Sequence, residues 1–456
     1  MSQPNEPDRL NAFKSEGDVN FSPHRTAWSR EFIDGETGYW LEEDARYFLH
    51  QSLSTPCLDV LKGCDGIYLE DLQGRRFLDF HGNNVHQVGH GNLRVIEAVI
   101  AQLRTLPFCP RRYTNLPAIQ LAKKLGELAP GDLNKVLFAP GGTTAIGMAL
   151  KLARVATGRF KTISMWDSFH GASLDAISVG GEAVFRQGIG PLLPGCEHVP
   201  PPDARHCPWG CEGTCNLKCA DYIEYVLEKE GDIAAVIAET VRCTPFIPPP
   251  DYWRKVRAAC DKHGALLILD EIPICLGRTG KMFACEHYNV VPDILAIGKG
   301  LGGGLFPLAA IIAREGLDIA GEKSLGHYTH EKNPVAAAAG LATLKCIETD
   351  GLLENARAVG AHALDRLQAM RERYPLIGDV RGLGLLLGIE LVTDRRTNAR
   401  AVDAAERVLY AALSKGLSFK LTMGNIITLT PPLTITIPEM DRALGILEEC
   451  ISEMGS

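Results

Sequence analysis

At 456 residues, with 46% hydrophobic and 22% charged side chains, the chain can bury more than one core and is too apolar for wholesale disorder. A formal net charge of −8 speaks against a general affinity for nucleic acid. No apolar run approaches the roughly 20 residues of a bilayer span, and "MSQPNEPDRLNAFKSEGDVN" lacks the apolar centre of a signal peptide, so a cytoplasmic protein with no membrane partner is expected.

Residues 1–55 read as irregular, with short helices. "GIYLEDLQGRRFLDF" (66–80) alternates apolar and polar residues around a glycine turn and predicts a hairpin. From about 90 to 330, short β-rich runs alternate with helical patterns. The predicted strands are 135–139, 161–166, 234–239, 265–271 and 294–298, and "TAIGMALKLARVAT" and "PDYWRKVRAACDKHG" have helical spacing. That alternation predicts a parallel sheet covered on both faces. Of the 14 cysteines, Cys207, Cys211, Cys215 and Cys219 recur every fourth residue, beside His206. Zinc sites favour tighter C-x-x-C pairs, so free thiols and no metal are expected. Beyond 335 come long helices, glycine-rich strands and another helix. The expected division is an N-terminal segment and hairpin (1–80) packing with a small C-terminal α/β domain (336–456), and a large domain (81–335).

Chemistry-bearing residues gather at the predicted strand ends, where open α/β sheets bind ligands. "PGGTTA" (140–145) follows the first strand and "DSFHG" (167–171) the second. Glu239 ends the third, Asp270 and Glu271 the fourth, and Lys299 lies just beyond the fifth. Gly298, Gly300 and Gly303 have dinucleotide-loop spacing, and Asp318 lies at a fitting distance for a ribose contact. Such a loop must open a helix, however, and "LFPLAAIIA" with its Pro307 reads as another strand. The alternative is that the glycines clear space around the amine of Lys299 for a bulky covalent partner such as pyridoxal phosphate. Its phosphate needs backbone N–H donors at a helix start, which "GGTTAIGMALKLAR" offers. Its ring nitrogen needs an anion, and Asp270 is suitably placed. Phe169 and Ile272 are placed to pack against its faces.

The motifs "GGTTAIGMALKLAR", "FHG", "LLILDEIPICLGRTGKMFACEHYNVVPDILAIGKGLGGG", "THEKNPVAAAA" and "VRGLGLLLGIEL" resemble those of class III aminotransferases, which are fold type I pyridoxal-phosphate enzymes. The resemblance implies a large domain with a mainly parallel seven-stranded sheet and a smaller α/β C-terminal domain. It makes Lys299 the Schiff-base lysine and Asp270 the partner of the ring nitrogen. Ile272 and Phe169 flank the ring, Gly142 and Thr143 hold the phosphate, and His170 and Glu239 complete the cofactor set. Thr329 would reach the phosphate of a neighbouring subunit, which implies a homodimer with shared active sites.

Several residues depart from that pattern. Thr428 in "NIITLTPPLTIT" replaces the arginine that commonly clamps a substrate carboxylate, so a dicarboxylate amino acceptor loses its cation. Pro273 replaces a usual glutamine, Thr144 an acidic residue, and "TVRCTPF" a glycine-rich segment. Glu331 and Lys332 stand where small residues are usual. "FHGNNVHQVGH", "MWDSFHGAS" and "GHYTHEKNP" further resemble a bacterial branch associated with phosphonate breakdown. The expected activity is therefore a pyridoxal-phosphate ammonia-lyase eliminating from a small β-hydroxy primary amine that carries a phosphonate. An ω-aminotransferase using a keto acid such as pyruvate is the alternative, and a non-catalytic binding protein a third. Candidate substrate contacts are the cations Arg111, Arg112, Arg242 and Lys420, with Asn83, Asn84 and His86 offering polar groups to a hydroxyl.

Overall fold

The computed structural model describes residues 21–52, 54–211 and 215–454; the polar N-terminal stretch read above for a leader lies outside them. The chain forms two compact units. The larger comprises Asn83–Val88 and Asn92–Leu353, and the smaller takes the chain up to Gly82, Gly89–Gly91 and the chain from Glu354 onward.

In the larger unit, seven strands form one sheet in the order Leu133–Ala139, Ala309–Arg314, Ile294–Ile297, Leu266–Asp270, Ile233–Glu239, Lys161–Met165, Cys196–Val199. Only Ala309–Arg314 runs antiparallel to its two neighbours; the remaining pairs are parallel. The Pro307 segment thus leads into a strand as expected, which removes the dinucleotide-loop reading. The helix Gly142–Thr157 buries Ala145, Ile146, Met148, Ala149 and Leu152 in one cluster with Ile237, Ile268, Ile294, Ala296 and Ile311 from the sheet. Leu267 and Leu269 flank Ile268, are equally buried, and by strand alternation point to the other face. Both faces are therefore covered, which is why these strands read as unbroken apolar runs. Every residue of Ile233–Glu239 is buried, so that strand has no solvent side.

The strand Cys196–Val199 was not expected: "CEHV" is short, polar and half-exposed at the sheet edge. The helix Pro334–Thr349, expected to begin the C-terminal domain, belongs instead to the larger unit. It packs on the helices Leu93–Thr105 and Leu116–Leu128 and on the turn that follows Lys299.

The smaller unit contains the expected hairpin, Tyr68–Asp71 with Arg76–Asp79, extended by Leu61–Asp65 on one side and by Leu417–Ser418 on the other. Its second sheet pairs Ile377–Leu383, Leu386–Asp394, Ile426–Leu429 and Lys420–Thr422, all antiparallel. The final helix, Ile437–Glu453, starts with a reciprocal cap between Thr436 and Glu439. Among the described residues no helix is long and apolar enough to cross a membrane.

Candidate active site

The parallel register sets Glu239 beside Asp270 at the carboxyl ends of adjacent strands. Asp270 is 2% exposed. Its Oδ1 accepts the N–H of Ile272 at 3.0 Å, and its Oδ2 lies 2.7 Å from Nδ1 of His170. An ionised carboxylate only accepts, so His170 Nδ1 is the donor. The buried Nε2 of His170 has no hydrogen-bond partner among the described residues. Phe169, next in the chain, donates its N–H to Glu239 Oε2 at 3.4 Å and packs its ring on Phe185.

Lys299 opens a single 3-10 turn, Lys299–Gly302, at the end of the Ile294–Ile297 strand. Its φ of +46° lies in the left-handed region that side chains other than glycine rarely occupy. Such conformations cost on the order of 1–3 kcal/mol and cluster at functional sites. Gly298 and Gly300 are packed against the protein's own atoms, whereas Gly304 lines a cavity together with Lys299. A Cβ on Gly300 would overlap the amide of Gln87, and one on Gly298 would lie 3.1 Å from Ala309 Cβ and 3.3 Å from Ile272 Cγ2. Gln87 is fully buried, and neither its amide nitrogen nor its oxygen has a partner among the described residues. Nothing in the spacing of "FHGNNVHQVGH" distinguished it from its neighbours.

The helix Gly142–Thr157 begins without a side-chain cap on Gly141. Its first N–H groups are left for another acceptor, since Thr144 Oγ1 turns back to Gly141 O and Thr143 Oγ1 to Ser173 Oγ. Ile272 links this helix start to the lysine turn: a Cβ on Gly142 would lie 3.0 Å from Ile272 Cδ1. Gly141, Gly142 and Lys299 share one cavity of about 410 Å³, walled by Val85 and by Gly304 through Leu308.

The candidate substrate cations divide. Arg242 is buried, its Nε 3.5 Å from Glu239 and its terminal nitrogen 3.7 Å from the buried Glu182. Burial works against its charge, but the two carboxylates outweigh it and raise its pKa. Arg242 thus lies between Glu239 and Glu182, and nothing in the sequence around Glu182 marks it. Arg111 contacts His327, Tyr328 and Glu331, while Arg112 is exposed. Asn83 is exposed and Asn84 buried, both with positive φ, and His86 is buried. Thr329 is exposed on the segment joining the last sheet strand to the helix Pro334–Thr349. Lys420 and Thr428 lie in the smaller unit, paired in register. Thr428 is 3% exposed and its hydroxyl bonds that of Thr422 at 2.9 Å. Cys211 and Cys219 are buried, and all 14 cysteines are free thiols.

Glu271 faces away from this chemistry. It is fully buried and accepts the N–H groups of Ala284 (2.6 Å) and Cys285 (2.7 Å) and the Thr240 hydroxyl (2.8 Å). Burial outweighs these donors and pushes its carboxyl up to about 7. Burial raises Glu239 as well, against the pull of Arg242. Both hold a proton more tightly folded than unfolded, so their contribution is fully present below the ordinary carboxyl range and is lost as pH rises towards 7. Denaturant midpoints are expected to fall between about pH 5 and about pH 7. Glu271→Gln is expected to flatten that slope; an unchanged slope would assign it to other groups.

The model of the family described as "Aminotransferase class-III" matches residues 50–451. The chain is 51% identical, over 97% of its length and 96% of the relative's, to an (R)-1-hydroxy-2-aminoethylphosphonate ammonia-lyase of Vibrio splendidus (strain 12B01). It is 38% identical, over 84% of its length and 88% of the relative's, to a leucine/methionine racemase of Thermococcus litoralis. Among solved structures, an aminotransferase of Bacillus anthracis superposes with a TM-score of 0.85 at 33% identity, covering 91% of this chain and 98% of that one.

Proposed function

The chain belongs to the class-III aminotransferase family, and on that premise we propose that it is a pyridoxal-phosphate-dependent ammonia-lyase. Its proposed substrate is (R)-1-hydroxy-2-aminoethylphosphonate, converted to phosphonoacetaldehyde and ammonia. The observation that carries the cofactor assignment is the meeting of Lys299 with the uncapped helix start at Gly141 and Gly142 on one cavity. A phosphate suits those free N–H groups, and the Asp270 carboxylate, braced by His170 and Ile272, suits a protonated ring nitrogen. When bound, pyridoxal phosphate supplies the electron sink that stabilises charge on the carbon next to the amine.

The chain's own residues then divide the work. Lys299 Nζ anchors the cofactor and is the base for the proton on the carbon bearing nitrogen. Asp270, acceptor-only, holds the proton on the ring nitrogen, and His170 fixes the orientation of Asp270. Arg242, which lies between Glu182 and Glu239, positions Glu239 beside them. Loss of the hydroxyl from the neighbouring carbon, followed by hydrolysis of the resulting enamine, returns one water for the one released. The net products are aldehyde and ammonia, and no amino acceptor is consumed.

The choice of lyase over transaminase is supported by the 51% identity to an ammonia-lyase and by Thr428. Where the family commonly has an acceptor-binding arginine, two buried hydroxyls, Thr428 and Thr422, satisfy each other. Thr428→Arg is expected to destabilise the protein by about 1–3 kcal/mol, because the larger side chain overpacks a site that is 3% exposed. It is also expected to create no strong transaminase activity, since Pro273 and the "THEKNP" loop differ as well. Thermal unfolding and alanine formation from pyruvate check both halves. The substrate assignment is tested by offering (R)-1-hydroxy-2-aminoethylphosphonate and, separately, the same compound without its hydroxyl. Phosphonoacetaldehyde is expected from the first and none from the second, which has no leaving group. Equal turnover of both would sink the elimination. We further propose a cytoplasmic homodimer in which Thr329 serves the neighbour's cofactor.

A further inference from the structure

The segment that presents Thr329 is held in a single strained arrangement. His327, two residues before Thr329, has φ of +83°, in the region that favours glycine. Glu331 Oε2 accepts the N–H groups of both His327 (3.1 Å) and Tyr328 (3.2 Å), closing the loop on itself. Arg111 closes it from outside: one guanidinium nitrogen donates to Tyr328 O at 2.9 Å, the other to Nδ1 of His327, and Glu331 Oε1 lies 3.8 Å away. Beyond Thr329, Asn115 donates to Lys332 O at 3.0 Å, and Asn333 caps the next helix by accepting from Val335 and Ala336. Thr329 itself stays exposed between these fixed points. Two features that the family resemblance leaves unexplained, an acidic residue at 331 and an arginine at 111, thus meet in one device.

We propose that Arg111 and Glu331 are positioning residues that lock the His327–Glu331 turn so that the Thr329 hydroxyl is aimed at the cofactor phosphate held by a neighbouring copy. This rests on the pyridoxal-phosphate reading and on Thr329 as a phosphate contact. It replaces the expectation that Arg111 meets the substrate's phosphonate: both of its terminal nitrogens are already directed at the loop. A charge-assisted hydrogen bond lost from such a clamp lowers the occupancy of the aimed state by roughly tenfold.

The test is a double-mutant cycle on the holoenzyme, with pyridoxal-phosphate dissociation followed by visible absorbance and KM measured for the aminophosphonate. Arg111→Ala, Glu331→Gln and Thr329→Ala are each expected to weaken cofactor retention by roughly tenfold. Arg111→Ala is expected to add nothing further in the Thr329→Ala background, because it acts only through that residue. KM is expected to stay near the parent value at saturating cofactor. Multiplying effects in the double variant, or a raised KM with unchanged cofactor retention, would overturn the clamp and return Arg111 to the substrate. If Thr329→Ala alone leaves retention unchanged, the phosphate contact is absent and the clamp falls with it, whereas an effect of Thr329→Ala without one of Arg111→Ala rejects only the clamp.

Discussion

Lys299→Ala is expected to abolish the visible absorbance of the lysine-bound cofactor and to lower turnover by at least about 10³-fold. Among the described residues lining the cavity beside the uncapped helix start, Lys299 supplies the one amine. Its left-handed backbone holds that amine at the end of a strand buried on both faces. Alanine tolerates the same left-handed backbone about as poorly as lysine, so the fold is expected to survive and the loss to be chemical. Cofactor absorbance and near-parental turnover in this variant would remove the pyridoxal-phosphate reading altogether.

Asp270→Asn is expected to cost on the order of 10²–10³-fold in turnover while leaving the lysine-bound cofactor absorbance in place. The two variants therefore separate attachment from activation. The carboxylate supplies a fixed negative charge in a site 2% exposed, where charge interactions are strong. Its two oxygens already face two donors, Ile272 N–H and His170 Nδ1. An amide must set its own N–H groups against one of them, so the substitution removes the charge and disturbs its alignment together. Turnover close to that of the parent would mean that the ring nitrogen needs no anion here, and would detach Asp270 from the chemistry.

The strand ends were legible because a strand buried on both faces has to be apolar throughout, so polar residues at its end stand out. Asp270, Glu239 and Lys299 emerged that way, and the structure sets the first two side by side. The resemblance, not the spacing, supplied the role of each. What stayed hidden depends on contacts between distant segments. Gln87 lies against Gly300, and Glu182 beside Arg242, across stretches of chain that no local pattern joins. An arginine's sequence neighbours likewise do not reveal which carboxylate or carbonyl it meets in the fold, as Arg242 beside Glu182 and Glu239 and Arg111 on Tyr328 O illustrate. The helix Pro334–Thr349 was placed in the wrong unit for a related reason. Its apolar residues fix that it is buried, but not which sheet or helix pair buries it. The strand Cys196–Val199 carries too few apolar residues to be read at all, since an edge position asks for none.

The central claim, elimination without an amino acceptor, is tested most directly by counting product per active site in the absence of any keto acid. Purified, cofactor-saturated enzyme is given an excess of (R)-1-hydroxy-2-aminoethylphosphonate, and ammonia and phosphonoacetaldehyde are measured over time. The account predicts many equivalents of both per site, in equal amounts, with the lysine-bound cofactor absorbance restored when substrate is exhausted. Product that stops at about one equivalent per site, resumes only when pyruvate is added and then appears with alanine in place of ammonia would contradict it, and would make the protein an ω-aminotransferase.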